Sequence, residues 1–128
     1  MGYRVLVVDD EEEVVEILAE FLMEEGFEVV GSRSAEEALA IFRKDDVDLV
    51  VTDVRMPGID GVEMAKEMRE RKPDIPIIFI SAYVDFSELK GMIEGSFSFF
   101  HKPFDLSDIL EEVRRYLFRG GEGICWKG

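Results

Sequence analysis

Four apolar runs in this chain each end on a residue that can bind or move charge. "YRVLVV" (3–8) runs into Asp9 and Asp10, "VDLVVT" (47–52) into Asp53, "IPIIFIS" (75–81) closes on Ser81, and "SFSFFH" (96–101) leads to Lys102. Singly they say little. Among 29 acids in 128 residues an Asp pair after a strand can arise by chance, a lone Ser is a turn residue, and a lone Lys is a solvated charge. Jointly they describe a site. Three carboxylates at one edge repel by roughly 4 kcal/mol per pair at 4 Å and an effective dielectric of 20, so a cation must offset them or one must protonate. An oxygen-rich site with open positions suits Mg2+, which prefers carboxylates, water and phosphate oxygens. Asp9 and Asp10 would hold the ion, Asp53 would share it, and Lys102 would add a fixed positive charge opposite. Such a site stabilises a phosphoryl group in transfer, with Ser81 donating a hydrogen bond and Asp53, ionised at neutral pH, as nucleophile. In "RMPGIDG" (55–61) the backbone carbonyl of Arg55 can reach the metal, while Gly58 and Gly61 relieve crowding.

The elements that position these residues follow from hydrophobic period. The runs at 3–8, 47–52 and 75–81 are continuous and rich in Val and Ile, as in parallel strands covered on both faces. "FEVVG" (27–31) and "SFSFFH" (96–101) complete five strands. Helix-period segments lie between: Val14, Val15, Leu18, Phe21 and Leu22 share one face, with Asp10 as expected cap and Gly26 as expected stop. Ser34 opens the next helix, Val62, Ala65 and Met68 mark the third, and "FSELKGMIEG" (86–95) reads as a shorter one interrupted at Gly91. Ile109, Leu110, Val113 and Leu117 mark the last. Strand and helix alternate five times, which predicts an α/β fold with a doubly wound five-stranded parallel sheet and five helices. In such sheets functional residues gather beyond the carboxyl ends of the strands. Four of the five strands aim a polar group there.

Composition narrows the classes. The chain has 15 Lys and Arg against 29 Asp and Glu, a formal charge of −14, which repels phosphate backbones and anionic lipid. Direct binding to nucleic acid or membrane is therefore not expected. Cys125 has no second cysteine to pair with, no apolar run reaches about 18 residues, and "MGYRVLVVDD" is no signal peptide; a cytoplasmic location is expected. One domain is expected over 1–119, followed by a flexible Gly-rich tail over 120–128 in which Trp126 could dock.

The motifs "VLVVDDE" (5–11), "DLVVTDVRMPGIDG" (48–61), "IPIIFISA" (75–82) and "HKPF" (101–104) resemble the receiver domain of two-component response regulators, in order and spacing over residues 3 to 119. The resemblance implies a flavodoxin-like sheet of order 2-1-3-4-5, Mg2+ as cofactor, and a phosphoryl group taken from a sensor histidine kinase or histidine phosphotransfer protein. By position Asp53 looks like the phosphoacceptor, Asp9 and Asp10 the acidic metal pair, Ser81 the switch hydroxyl, Lys102 the lysine of the family pattern and Phe99 the switch aromatic. Arg55 and Tyr83 fall at positions that influence acyl-phosphate lifetime, and Lys102–Pro103 resembles a bond usually cis. Phosphorylation would reshape the face of helix four, strand five and helix five for a downstream protein target, and hydrolysis would reset it, without turnover of an external substrate as in an enzyme.

The chain departs from the pattern in places. Phe99 lacks the hydroxyl of the Tyr often found there, which removes an outward hydrogen-bonded state and leaves a plain core role open. His101 reads as a strand-end packing residue. An aspartyl-phosphate hydrolase of the haloacid dehalogenase type would want an Asp where Arg55 stands. A flavin-phosphate binder would want hydroxyls and glycines where "DDEEE" (9–13) stands. A pseudo-receiver, a binding module that takes no phosphoryl group, is the remaining alternative.

Overall fold

The computed structural model describes residues 2–118 and 125–126. Strands β1 (Arg4–Val8), β2 (Glu28–Ser32), β3 (Leu49–Asp53), β4 (Ile77–Ser81) and β5 (Ser98–His101) alternate with helices α1 (Glu12–Glu24), α2 (Ala35–Lys44), α3 (Gly61–Arg71), α4 (Phe86–Lys90) and α5 (Leu106–Phe118). The strands lie in the order 2-1-3-4-5 and all pair in parallel, the flavodoxin-like arrangement expected. A sixth strand, β6 (Cys125–Trp126), pairs with Ser98 and Phe99 at the outer edge of β5. That corrects the expected loose tail at these two positions: backbone pairing with an otherwise open edge strand outweighs the Gly-rich composition before it. The remainder of the 120–128 tail lies outside the described residues.

Strand side chains alternate between faces, so each run of apolar residues feeds two cores. Leu6, Val8, Val50, Ile77, Phe79 and Phe99 pack with α2, α3 and α4 on one side. Val5, Val7, Leu49, Val51, Ile78 and Ile80 pack with Leu18 and Leu22 of α1 and Ile109 and Val113 of α5 on the other. Burial on both faces explains why these strands read as unbroken apolar stretches.

Three helices start on a side-chain cap: Ser34, Asp60 and Asp85 accept from the backbone N–H of Glu37, Glu63 and Glu88. Helix α1 does not. Its N-cap is Glu11, not the expected Asp10, and Glu11 makes no side-chain cap bond. Helix α4 ends at Lys90, before Gly91, shorter even than the interrupted pattern suggested.

At the tip of β3 the chain doubles back so tightly that a Cβ on Gly61 would sit 2.0 Å from the carbonyl oxygen of Asp53. The N–H of Gly61 donates to the carbonyl of Val54 at 2.8 Å, which closes the loop. Gly58, at φ +80, turns that loop where a side chain would be strained. Gly61→Ala must therefore displace backbone at the strand tip, and we expect a loss of about 2 kcal/mol or more in urea unfolding. An unchanged midpoint would show that the loop is not packed this closely.

Candidate functional site

Asp53 is the last residue of β3 and is nearly buried, 7% exposed. Its register opposite Ile80 places it one step short of Ser81 on β4. Oδ1 of Asp53 accepts the N–H of Arg55 at 3.3 Å, and Oδ2 accepts from Lys102 Nζ at 3.0 Å. Asp9 follows β1 and is fully buried, with Oδ1 accepting the N–H of Glu11 at 2.9 Å. Asp10 completes a trio in which one carboxylate oxygen from each residue lies within 4.8 Å of the others. The three expected acids thus converge from two strands.

Lys102 lies just past β5, and its backbone N–H donates to the carbonyl of Ser81 at 2.9 Å, which ties the ends of β4 and β5 together. From there Nζ reaches Asp53, Glu11 at 2.9 Å and Asp9 Oδ2 at 2.8 Å. The Asp9 contact is an ion pair without hydrogen-bond alignment, and Asp9 Oδ2 is a buried oxygen with no hydrogen-bond partner. A buried anionic oxygen in that condition is costly. Burial pushes Asp9 up to about 6, with Lys102 and the Glu11 N–H pulling the other way. Burial likewise raises Asp53 against the pull of Lys102. Burial opposes the charge on Lys102, yet its hydrogen bonds to Glu11 and Asp53 and its ion pair with Asp9 together outweigh it and raise the ammonium above the usual lysine range. One ammonium does not balance this cluster. A hard divalent cation fits it, because a buried carboxylate oxygen without a hydrogen bond and two neighbouring carboxylates are the donors such an ion prefers.

Ser81 is fully buried, and its Oγ accepts the N–H groups of Tyr83 and Val84 at 3.1 and 3.0 Å. As an acceptor twice over, it keeps its own proton to donate. No hydrogen bond joins it to Asp53 among the described residues. Arg55 and Tyr83 are exposed and line a cleft of about 730 Å3 together with Asp10, Glu11, Asp53 and Lys102. Phe99 is fully buried, with its ring edge-on to His101 at 4.9 Å, while His101 itself is exposed at the strand end. Lys102–Pro103 is cis. Glu11 is the site residue that the strand-end pattern missed. No local signal singled it out, because it is the third of five consecutive acids and Asp10 is the favoured cap type there.

Residues 5–114 match the response regulator receiver domain family. Sporulation initiation phosphotransferase F of Bacillus subtilis is 33% identical, over 91% of this chain and 95% of its own length. The alkaline phosphatase synthesis transcriptional regulatory protein PhoP of B. subtilis is 34% identical over 93% of this chain, which spans only 50% of that relative. This chain likewise spans about half the length of several other curated relatives it matches. Among solved structures, the response regulator TrrA of Thermotoga maritima, in complex with Mg2+ and BeF, aligns at a TM-score of 0.79 and 38% identity, over 90% of this chain and 99% of that one. A CheY-like receiver domain protein from Methanospirillum hungatei aligns at 0.83 and 24% identity over 93% of this chain and 96% of its own, a likeness of fold.

A raised carboxylate pKa lets the folded state bind a proton the unfolded chain has already lost. For Asp9 that window runs from the ordinary 3.8 to about 6, and stability falls as pH rises through it. In divalent-free buffer at pH 7, Asp9→Asn should be more stable than wild type by about 2 kcal/mol, after allowing for screening near the rim. The gap should close below pH 4, and Mg2+ should raise the melting temperature of wild type but not of the variant. A gap that does not change with pH would refute the assignment.

Proposed function

The chain belongs to the response regulator receiver domain family, and from that premise we propose that Asp53 is its phosphoacceptor. The carrying observation is the convergence of Asp9 and Asp53, from two strands, within 2.8 to 3.0 Å of the Lys102 ammonium on the same rim of the sheet. A carboxylate oxygen of Asp53 attacks the phosphorus of a phosphohistidine on a sensor kinase or phosphotransfer protein. The P–N bond breaks, an Asp53 O–P bond forms, and the departing imidazole takes a proton from solvent.

The carboxylates of Asp9, Asp10 and Asp53 and the backbone carbonyl of Arg55 would hold Mg2+, whose contribution is to neutralise charge on the phosphoryl oxygens. Lys102 supplies a second positive charge on the far side, from a position set by its backbone bond to Ser81. Ser81 turns its free proton toward the new phosphoryl oxygens. To do so it must shift the turn it stitches, because its lone pairs hold the N–H groups of Tyr83 and Val84. Movement therefore passes to the segment leading into α4, a helix of only five residues. Up to two added negative charges bias this element, and water attack on the acyl phosphate resets it. Arg55 and Tyr83, exposed on the cleft, influence how readily that water enters. Phe99 already has its ring inside the core, so its part in the switch is to fill space beneath the moving turn. The reshaped surface around α4, β5 and α5 is read by a downstream protein, and residues 1–119 act as one receiver unit.

Incubation with acetyl phosphate and Mg2+, followed by intact mass measurement, should show wild type gaining one phosphoryl group and Asp53→Asn gaining none. Lys102→Ala should slow the gain by about 100-fold. No gain by wild type would favour the pseudo-receiver reading instead.

A further inference from the structure

We propose that Glu11 is a placeholder for the incoming phosphoryl group, holding the Lys102 donor that the group must take over. An ammonium has three N–H groups. One goes to Asp53 at 3.0 Å and one to Glu11 at 2.9 Å, while Asp9 crowds the third from 2.8 Å. Two of the three carboxylates are fixed. Asp9 is fully buried and held through Oδ1 by the Glu11 N–H, and the Asp53 side chain is 10% exposed at a strand tip. The Glu11 side chain is 63% exposed. Of the three, only it can leave Lys102 and be re-solvated at small cost.

A second observation points the same way. Glu11 is the N-cap of α1, where Ser, Thr, Asp or Asn would satisfy a free N–H, and it makes no cap bond. Its carboxylate reaches across 91 positions of sequence to Lys102 instead. A local rule broken beside a tertiary contact of this kind marks a functional compromise. Glu11 also lines the open cleft, so its release moves an anion on the surface a phosphodonor approaches.

The inference rests on the reading of Asp53 as phosphoacceptor and specifies how the site receives an anion. In the reaction with acetyl phosphate, the P–O bond to the acetyl group breaks, the Asp53 O–P bond forms, and acetate leaves. Glu11 takes no part in bond making; it is a positioning residue that acts through Lys102. While it holds Lys102, an anionic donor meets both an occupied ammonium and an extra negative charge.

The test compares wild type, Glu11→Gln and Glu11→Asp at saturating Mg2+. Glu11→Gln should lower the apparent KM for acetyl phosphate by about fivefold, with the rate at saturating donor little changed. It should also tighten binding of beryllofluoride, measured by calorimetry, by a similar factor. Glu11→Asp keeps the charge but is one methylene shorter, so it releases Lys102 and caps α1. It should lower KM by at least twofold and raise the melting temperature by about 3 °C. If Glu11→Asp matches wild type in KM while Glu11→Gln does not, net charge alone acts and the placeholder is refuted. If both variants change only the melting temperature, Glu11 is merely structural and the inference fails while the phosphoacceptor reading stands. Absence of phosphoryl gain in wild type and both variants would overturn the two together.

Discussion

The Lys102 ammonium is the charge on which the rim depends. It lies within 2.8 to 3.0 Å of carboxylates from the ends of β1 and β3 and the start of α1. Without it, buried Asp9 and nearly buried Asp53 would face each other with no compensating charge, and burial already raises both toward protonation. The compensation is incomplete, because Asp9 Oδ2 lies against the ammonium without a hydrogen bond. A site left short of positive charge suits a divalent ion, whose charge would complete the compensation.

Parallel strand order is what gathers these groups. Because β1, β3, β4 and β5 all run the same way, their carboxyl ends share one edge, and residues 9, 53, 81 and 102 meet although up to 93 positions separate them. Gly61 permits the loop after β3 to fold back against the carbonyl of Asp53, which leaves the carboxylate facing the cleft. The same packing that stabilises the sheet thus sets the site, and core and chemistry cannot be altered separately near the strand tips.

Stability is uneven around the site. On β5, the Ser98 hydroxyl bonds to Glu112 and, at 2.9 Å, to Tyr116, fastening α5 to the strand. From the other side Arg69 of α3 donates to the backbone carbonyls of Ile75, Glu94 and Ser96, which pins the segment entering β5. Helix α4, by contrast, is only five residues long, with Leu89 as its one fully buried side chain. A switch motion proposed to start at Ser81 would meet this short helix before the firmer contacts of α3 and α5.

Much of this was legible in the chain itself. Unbroken Val and Ile runs imply strands covered on both sides, strict alternation implies a parallel sheet, and parallel strands put Asp9, Asp10, Asp53, Ser81 and Lys102 at one edge; pattern and chirality suffice for that. Three features needed the tertiary structure. Glu11 stood among five consecutive acids, and only its reach to Lys102 distinguishes it from a solvated charge. Cys125 and Trp126 follow a Gly-rich stretch, and their strand arises from an available edge on β5, which local sequence does not encode. The Ser81 hydroxyl could have pointed at the acids, but two N–H groups of its own turn hold it. Periodicity determines which elements form and which way they run; side-chain partners across distant segments are decided by packing, where a methylene of reach or one free donor settles the contact.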